Sequence, residues 1–416
     1  MTKDHEKLKD VSEHFTEEKL EEVLKSVYKG QKANVLDWYF DEASSKGDNY
    51  LSTVNKIKIV ANVDGKEVEL KLVVKSLPNN IGRRNTYRSV DFFYNEIIFY
   101  TKIATKFEEF LNNKGQNGLL CIPRHLASAL DGKADYIALE DVSPLGYKSI
   151  SRQSCLNEVE YAMLLKTIAR FHAISFAYKD QKKEEFNDLV KNLNETYMSD
   201  EHWDWYKRFH KRLINIAKNA LEMEYPNSEA EKRFKSYEFG ALYKKAAEFC
   251  TRKYEPTSVV SHGDCWAPNF LSQDNNILML DFQLTRCASP VLDISMCFYG
   301  CTDKNLWDEH FDKLLTVYYD ELSSTIKLLG SVPENLYSWD TFMNEVKEQF
   351  MFGAVFALEM VPFSLLDESE SFDLDIIKDE SGVNIDDVWT LSNMKDKSGR
   401  LRLANVFVHA VEKGFL

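Results

Sequence analysis

Two aspartates and an asparagine stand at fixed spacing between apolar, strand-like segments of this chain. Asn269 follows Asp264 by five residues, and Asp281 follows Asn269 by twelve. When a phosphoryl group is transferred from Mg-ATP, one carboxylate accepts the proton of the attacking hydroxyl, while an amide oxygen and a second carboxylate hold the metal. We therefore interpret Asp264 as the catalytic base, and Asn269 and Asp281 as the Mg²⁺ ligands. Each short motif arises by chance in many proteins, but the ordered set favours a phosphotransferase.

The sequence around these residues resembles the ecdysteroid kinase-like family of insects, which belongs with choline kinases and aminoglycoside phosphotransferases in the protein-kinase-like fold. The resemblance covers roughly residues 30 to 415. The segments that carry it are Gly47–Tyr50, Val73–Lys75, Tyr94–Tyr100, Leu139–Asp141, His262–Trp266 with Asn269, Asp281–Gln283 and Ser289–Asp293.

Two departures from the protein-kinase pattern bear on the acceptor. Gly263 takes the place of the arginine that precedes the catalytic aspartate in most protein kinases, and Gln283 takes the place of the glycine after Asp-Phe. No Ala-Pro-Glu follows, so there is little sign of an activation loop or of peptide docking. We therefore expect the acceptor to be a small molecule.

The resemblance implies a two-lobed α+β fold of protein-kinase type. Residues 1–141 would form a small N-terminal lobe whose antiparallel sheet covers the nucleotide. Residues 142–416 would form a large, mainly helical C-terminal lobe that holds the catalytic residues and the acceptor. The implied cofactors are ATP and Mg²⁺. The implied nucleotide-binding residues are Gly47, Asp48, Asn49, Tyr50, Lys75, Glu96, Glu140 and Val142.

Local patterns predict the elements that must position Lys75. Thr16 can cap a first helix, and Asp64-Gly65 is a two-residue hairpin turn between two strands of alternating polarity. The strand period of two places Lys75 on the sheet face opposite the apolar side chains. Glu96 lies on a helix predicted over residues 87–111. We interpret it as the partner that orients Lys75, with a plain surface glutamate as the alternative.

The segment expected to cover the phosphates is Ser45–Tyr50, with the backbone N–H groups of Asp48, Asn49 and Tyr50 as donors. It contains one glycine instead of the three of a protein-kinase loop, and alone it would be taken for a turn. Its position before the strand pair and the resemblance support it.

The next expected boundary follows a short buried strand, Tyr136–Leu139. The segment Glu140–Gly146 after it is rich in turn-forming residues, and we place the lobe boundary there. The resemblance implies that this hinge binds the adenine through backbone groups.

Helical patterns predominate beyond the hinge. His172 is predicted to be a core histidine of a helix over about residues 156–177. His262 is interpreted as fixing the catalytic loop, and Asp293 either as an anchor for that loop or as an ordinary helix N-cap. The aromatic residues at 203–209 fit packing or a binding surface, whereas the apolar stretch 350–363 is predicted to be a buried helix. Residues 366–387 read as an exposed acidic loop, with a lid as the alternative.

Composition excludes several classes of partner. The net charge of −14 argues against nucleic acid. No apolar run approaches eighteen residues and the charged N-terminus lacks the apolar core of a signal peptide, so we expect no membrane span and a cytoplasmic protein. The 7 cysteines are expected to remain thiols. A zinc site can be assembled from His262, Cys265, Cys297 and Cys301, but paired Cys-x-x-Cys motifs are missing.

Three functions remain open at this point. The preferred one is ATP-dependent phosphorylation of a hydroxyl on a small, lipophilic molecule such as an ecdysteroid. The nearest alternative is a choline- or ethanolamine-kinase-like activity, which acidic and aromatic residues would suit. The third is a pseudokinase that binds nucleotide or ligand without turnover, and the complete set Lys75, Glu96, Asp264, Asn269 and Asp281 argues against it. We expect no obligate protein partner.

Overall fold

The computed structural model describes residues 5–41, 51–366 and 372–416. The chain divides into two compact units. The first comprises Met1–Thr101, Ile122–Tyr147 and Glu368–Asn384, and the second comprises Lys102–Cys121, Lys148–Asp367 and Ile385–Leu416, each as far as its residues are described. Neither unit is contiguous in sequence. The single boundary predicted after residue 141 stays a prediction.

In its described residues, the first unit combines a sheet with four α-helices. Its helices are α1 (His5–Val11), α2 (Glu17–Val27), α3 (Ile81–Tyr87) and α4 (Ser89–Ile98). A π-helical segment, Phe99–Ala104, follows α4 and continues into the second unit. Its strands are β1 (Ala33–Asp41), β2 (Thr53–Val63), β3 (Lys66–Ser76), β4 (His125–Ala129) and β5 (Tyr136–Glu140). The strands form one antiparallel sheet in the order β1-β2-β3-β5-β4.

The hairpin β2–β3 determines which way Lys75 points. Asp64 and Gly65 adopt positive φ values of 49° and 85°, as a two-residue turn of the primed type requires. Along β3, alternate residues such as Leu72 and Val74 are buried against α1 and α2. Lys75 therefore projects from the other face of the sheet, as the period of two predicts.

The described end of the acidic segment, residues 372–384, belongs to the first unit. It lies on α3, where the Asn85 side chain donates to the Glu380 carbonyl at 2.6 Å and the Val383 N–H donates to Thr86 Oγ1 at 2.9 Å. A Cβ on Gly82 would lie 2.0 Å from the Asp379 carbonyl oxygen, so the contact needs glycine at that position. The suggestion that this segment is a lid stays a prediction.

The second unit is mainly helical, with two small sheets. Its helices are α5 (Thr105–Asn113), α6 (Glu158–Gln181), α7 (Lys183–Val190), α8 (Trp203–Glu224), α9 (Glu229–Ser236), α10 (Ala241–Cys250), α11 (Val291–Cys301), α12 (Lys304–Leu328), α13 (Pro333–Leu336), α14 (Trp339–Gln349), α15 (Met351–Ser364), α16 (Ile385–Val388) and α17 (Lys397–Glu412). Its strands are β6 (Lys148–Ser149), β7 (Val259–Ser261), β8 (Phe270–Gln273), β9 (Asn276–Met279) and β10 (Arg286–Ala288). They pair in the orders β6-β8-β9 and β10-β7.

The core of the second unit forms where α6 packs on α12 and α15 packs on α11. Gly353 allows α15 to approach α11 closely, because a Cβ at this position would lie 2.1 Å from the Ser295 carbonyl oxygen. Within the described ranges, no helix is both long enough and apolar enough to cross a membrane.

The predicted fold class is confirmed: an α+β chain with a small antiparallel sheet in one unit and a larger, mainly helical unit. The elements also follow the order of the protein-kinase-like fold. Lys75 lies on β3, Glu96 follows on a helix, and the loop that carries Asp264 comes later, after β7.

Candidate active site

The loop that carries Asp264 joins β7 to a short 3-10 helix, Ala267–Asn269. It begins with Gly263 at φ +85°, where a Cβ would lie 2.0 Å from the Leu284 carbonyl oxygen. Only glycine fits this conformation and this close approach without strain. The departure from the protein-kinase arginine at this position therefore has a structural cause.

Asp293 holds the start of this loop. Its carboxylate accepts backbone N–H groups from His262 at 2.6 Å and from Gly263 at 2.9 Å, and His172 Nε2 donates to it at 3.0 Å. The Tyr318 hydroxyl donates to the other ring nitrogen of His172 at 2.8 Å. Burial acts to raise the pKa of Asp293, but the bonds from His172 and the loop outweigh it and keep the pKa below its usual range. Asp293 is therefore an anchor for the loop and not an ordinary N-cap.

His262 joins the loop to the strand end that precedes Asp281. Its Nε2 donates to the Leu280 carbonyl at 2.7 Å, and its Nδ1 accepts the Asp264 N–H at 3.2 Å. Burial lowers the pKa of His262 below its usual value, so the ring stays neutral with its proton on Nε2. With both nitrogens engaged, the ring positions the loop, as the sequence indicates.

Asp264 and Asn269 contact each other. The Asn269 amide donates to Asp264 Oδ2 at 2.8 Å and to the Asp264 carbonyl at 3.0 Å. This fixes the Asp264 rotamer and assigns the amide nitrogen, so the amide oxygen of Asn269 is the atom suited to a cation. Burial raises the pKa of Asp264 to about 7, with the negative charge of Asp281 as the next cause.

Asp281 follows β9 in a left-handed conformation, φ 64° and ψ 68°. This region is uncommon for residues other than glycine and is concentrated at functional sites. The Leu280 N–H donates to the Asn269 carbonyl at 2.8 Å, which ties this turn to the loop. Asp264, Asn269 and Asp281 are thus brought together, although they come from different turns.

In the first unit, Lys75 and Glu96 form an ion pair. Lys75 Nζ lies 3.0 Å from Glu96 Oε1 and 3.3 Å from Oε2, and only 2% of the Glu96 residue surface is exposed. Glu96 is therefore not a plain surface glutamate. It holds the Lys75 ammonium in one place, as a cation that binds phosphates requires.

Of the remaining predicted nucleotide-binding residues, Glu140 and Val142 are described by the structure. Gly47, Asp48, Asn49 and Tyr50 lie outside the described residues. At the expected hinge, the Glu140 N–H donates to the Arg124 carbonyl at 2.9 Å, and the Val142 carbonyl accepts the Leu145 N–H at 3.0 Å. The binding of adenine there stays a prediction.

One charged pair beside the loop was not predicted. Arg286 is buried, and its Nε lies 2.6 Å from Glu195 Oε2. Its Nη1 donates to the Gly263 carbonyl at 3.3 Å, and its charge lowers the pKa of Asp264, against the effects of burial and Asp281. A lone arginine in the apolar segment after Asp281 was the available signal, because a buried charge needs a partner.

A second unpredicted residue is Glu359, on α15. The Tyr197 hydroxyl donates to its two carboxyl oxygens at 2.8 and 2.7 Å, and the Tyr206 hydroxyl donates to Oε2 at 2.8 Å. The charge of Glu359 also contributes to the raised pKa of Asp264, after burial and Asp281. Glu359 was detectable in the sequence as the one charged residue in an apolar helix.

The zinc alternative does not form. The sulfur atoms of Cys297 and Cys301 lie 3.9 Å apart, but both ring nitrogens of His262 are engaged within the loop. In the part of the chain that the structure describes, no group of three or more His, Cys, Asp or Glu side chains is arranged to hold a metal ion.

The donor set nevertheless fits Mg²⁺, which needs few protein ligands beside phosphate oxygens. Asp264 and Asp281 lie near enough for one charge to raise the pKa of the other. A divalent cation held by Asp281 and the Asn269 amide oxygen would offset that repulsion, and the hard oxygen donors are the type that Mg²⁺ prefers.

Comparison with known proteins gives one family. The sequence profile of the ecdysteroid kinase-like family matches residues 46–331, a narrower range than the motifs suggested. No curated protein matches the chain.

Several solved structures are similar at low identity. A choline kinase from Cryptosporidium parvum Iowa II has 13% identity and a TM-score of 0.40, with 91% of each chain covered. A macrolide 2'-phosphotransferase from Brachybacterium faecium has 11% identity and a TM-score of 0.33, with 80% of this chain and 91% of that chain covered. An aminoglycoside phosphotransferase from Streptomyces rimosus, in complex with ADP and streptomycin, has 13% identity and a TM-score of 0.32, with 65% and 88% covered. Likeness at this level does not assign a substrate.

Proposed function

This chain belongs to the ecdysteroid kinase-like family, and from that premise we propose that it is an ATP-dependent phosphotransferase that acts on a hydroxyl of a small molecule. The observation that carries the proposal is the arrangement of Asp264, held by the Asn269 amide on a loop that Asp293 anchors. A carboxylate fixed in this way can align an acceptor hydroxyl and take up its proton.

The proposed roles follow from the geometry within each unit. In the first unit, Lys75 is oriented by Glu96 and would bind phosphate oxygens as a positive charge. In the second unit, Asn269 and Asp281 would hold Mg²⁺, which when bound would neutralise charge on the transferring phosphoryl group. Asp264 would accept the proton of the acceptor hydroxyl, because the Asn269 amide holds its carboxylate in one orientation.

The raised pKa of Asp264 reflects the site without a cation. Burial and the neighbouring carboxylate of Asp281 disfavour its charged form, and a cation on Asp281 would act in the opposite direction. Other residues complete the surroundings of Asp264. His262 and Asp293 hold the loop that carries it, and Arg286 places a positive charge beside Gly263.

For the acceptor, we propose a sterol-like alcohol such as an ecdysteroid, in keeping with the description of the family. Trp205 is the partly exposed aromatic residue of this region that could contact an apolar body, and its ring lies 5.6 Å from that of the buried Tyr197. Tyr206 and Phe209, which the sequence offered for the same purpose, are buried in packing contacts with Tyr243 and Trp389.

An amino alcohol of the choline or ethanolamine type is the second candidate, and Glu359 is the observation that favours it. A carboxylate beside aromatic rings is a suitable environment for an ammonium group. Both candidates require the same transfer chemistry at Asp264.

The test is direct. The purified protein is incubated with Mg-ATP and one acceptor in each of several parallel reactions. The acceptors are ecdysteroids, other hydroxylated sterols, choline and ethanolamine, and the products are identified by mass spectrometry. We expect a mass gain of one phosphate on at least one acceptor and none when ATP is omitted. Nucleotide binding without any phosphorylated product would instead support the pseudokinase.

A further inference from the structure

Glu359 is a single carboxylate on an otherwise uncharged helix, and it is held by two tyrosine hydroxyls. It is the one charged residue of α15, whose other residues are apolar or small. The hydroxyls of Tyr197 and Tyr206 both donate to it, but its side chain is not fully covered. Two neutral donors fix its position and leave lone pairs on the carboxyl oxygens for a further donor.

No positive charge in the described residues compensates Glu359. Burial raises its pKa to about 7, and only the bonds from Tyr197 and Tyr206 act against burial. A carboxylate taken out of water without a cation is costly unless further hydrogen bonds or a charge stabilise it. Glu345 offers a contrast, because it too is held by a tyrosine hydroxyl, Tyr337, at 2.7 Å, but it lies on α14 and also accepts a hydrogen bond from Ser289 Oγ.

Two structural links place Glu359 beside the catalytic loop. The first runs through residues 195–197. The Tyr197 hydroxyl donates to Glu359, and the Tyr197 N–H donates to the Glu195 side chain at 3.0 Å. Glu195 in turn pairs with Arg286, which donates to the Gly263 carbonyl. In the same segment, Thr196 Oγ1 donates to the Gln283 carbonyl at 3.4 Å.

The second link runs through the residue after Glu359. A Cβ on Gly300 would lie 3.1 Å from the sulfur and the methyl carbon of Met360, and 3.7 Å from Cβ of Trp266. Trp266 is two residues after Asp264. Two separate sets of contacts therefore hold α15, the helix that carries Glu359, next to the catalytic loop.

We propose that Glu359 is an acceptor-recognition residue: it accepts a hydrogen bond from a second donor group of the acceptor, a hydroxyl or an ammonium group that carries N–H, while the reacting hydroxyl lies at Asp264. This inference rests on the proposed phosphotransferase function and narrows its substrate class to bifunctional acceptors, that is, polyhydroxylated sterols or amino alcohols. Simple mono-alcohols are then poor substrates, because a bound mono-alcohol would cover Glu359 without offering it a donor.

Matched acceptors test the proposal on the wild-type protein. A sterol diol is compared with the corresponding sterol that has a single hydroxyl, and ethanolamine is compared with ethanol. We expect loss of the second donor to raise the KM of the acceptor by about tenfold to a hundredfold, the scale of a hydrogen bond to a charged group. Equal KM values within each pair would overturn the proposal.

Two substitutions at Glu359 show whether the donor group of the acceptor is a hydroxyl or an ammonium. Glu359→Leu removes charge and acceptor atoms, so the KM of every bifunctional acceptor should rise at least about tenfold, with the KM of ATP unchanged. Glu359→Gln keeps an acceptor oxygen for the tyrosines and for a neutral hydroxyl. It should therefore raise the KM of an ammonium acceptor strongly and that of a sterol diol by no more than about threefold.

Glu345→Gln is the control, since it makes the same change at a tyrosine-bound carboxyl on a different helix, α14. It should leave the KM of the acceptor unchanged. If wild-type protein turns over acceptors and Glu359→Leu, folded by its melting curve, has an unchanged acceptor KM, Glu359 is not the recognition residue and the kinase assignment stands. If wild-type protein binds ATP but phosphorylates no acceptor, the proposed function fails and this inference fails with it.

Discussion

Replacing Asp293 with asparagine should destabilise the protein far more than the same change at a helix cap. The Asp293 carboxylate accepts three hydrogen bonds, from two backbone N–H groups and from His172, and none of its surface is exposed. Asparagine keeps one acceptor oxygen, so at least one of these donors would face an NH₂ group. A hydrogen bond to a charged group contributes about 1.5–3 kcal/mol, and a buried donor left without a partner costs about 1–3 kcal/mol. Together they predict a loss of about 2.5–6 kcal/mol in the free energy of unfolding.

Asp303→Asn is the matched control. Asp303 is the N-cap of α12 and accepts one N–H, from Leu306, at 3.3 Å. Asparagine and aspartate are equivalent at such positions, so this change should alter the free energy of unfolding by no more than about 0.5 kcal/mol. Urea denaturation of the two variants and the wild type measures both effects. Equal losses for the two variants would refute the anchor role, and Asp293 would then be an ordinary cap.

Three further changes test two predicted site residues, Lys75 and Asp281, and one buried histidine, His210. Lys75→Met should weaken the use of ATP at every Mg²⁺ concentration, because the lysine would contact phosphates directly. The defect of Asp281→Ala should instead be partly relieved by excess Mg²⁺ or by Mn²⁺. Titrating both variants with metal therefore separates the two roles. An unaltered metal dependence in Asp281→Ala would contradict its assignment as a metal ligand. Burial lowers the pKa of His210 to about 4, so the unfolded chain binds its proton first and stability falls as the pH drops below about 6.5. Between pH 8 and pH 5 this amounts to about 2 kcal/mol. His210→Phe should remove that share of the acid sensitivity, and an identical pH profile in the variant would show that His210 is not its source.

The arrangement of Lys75 and Glu96 in the first unit could be predicted from local patterns. Alternation along the strand gives the face on which Lys75 lies, and Asp64-Gly65 fixes the register of the hairpin that carries it. The pairing of Lys75 with Glu96 also followed, because each is positioned by one element with a clear period. The π-helical turn that follows α4 could not be predicted, since the helical apolar pattern continues through it.

The residues that surround Asp264 were harder to predict, because their partners are distant in sequence. His172 was assigned correctly to the core, but its bond to Asp293 spans 121 positions. Arg286 pairs with Glu195 across 91 positions. No local period connects such residues, and only the three-dimensional packing of α6, α11 and the loop brings them together.

Glu359 shows what sequence reasoning can still recover. Its helix was predicted to be buried, and α15 is buried along most of its length. A single glutamate within such a helix contradicts the apolar pattern, and contradictions of this kind are concentrated at functional sites. The signal was therefore present, although its partners Tyr197 and Tyr206 were not visible from it.

The central claim is that Asp264 accepts the proton of an acceptor hydroxyl during phosphoryl transfer. The decisive measurement compares the rate of product formation and the affinity for Mg-ATP in Asp264→Asn, in Asp274→Asn and in the wild type. Asp274 makes a suitable control because it lies in the turn between β8 and β9 at φ 49°, a conformation that asparagine adopts readily. We expect Asp264→Asn to bind Mg-ATP within about threefold of the wild type and to lose a factor of about 10² to 10⁴ in turnover, with Asp274→Asn unaffected. Turnover of folded Asp264→Asn within a few-fold of the wild type would contradict the claim.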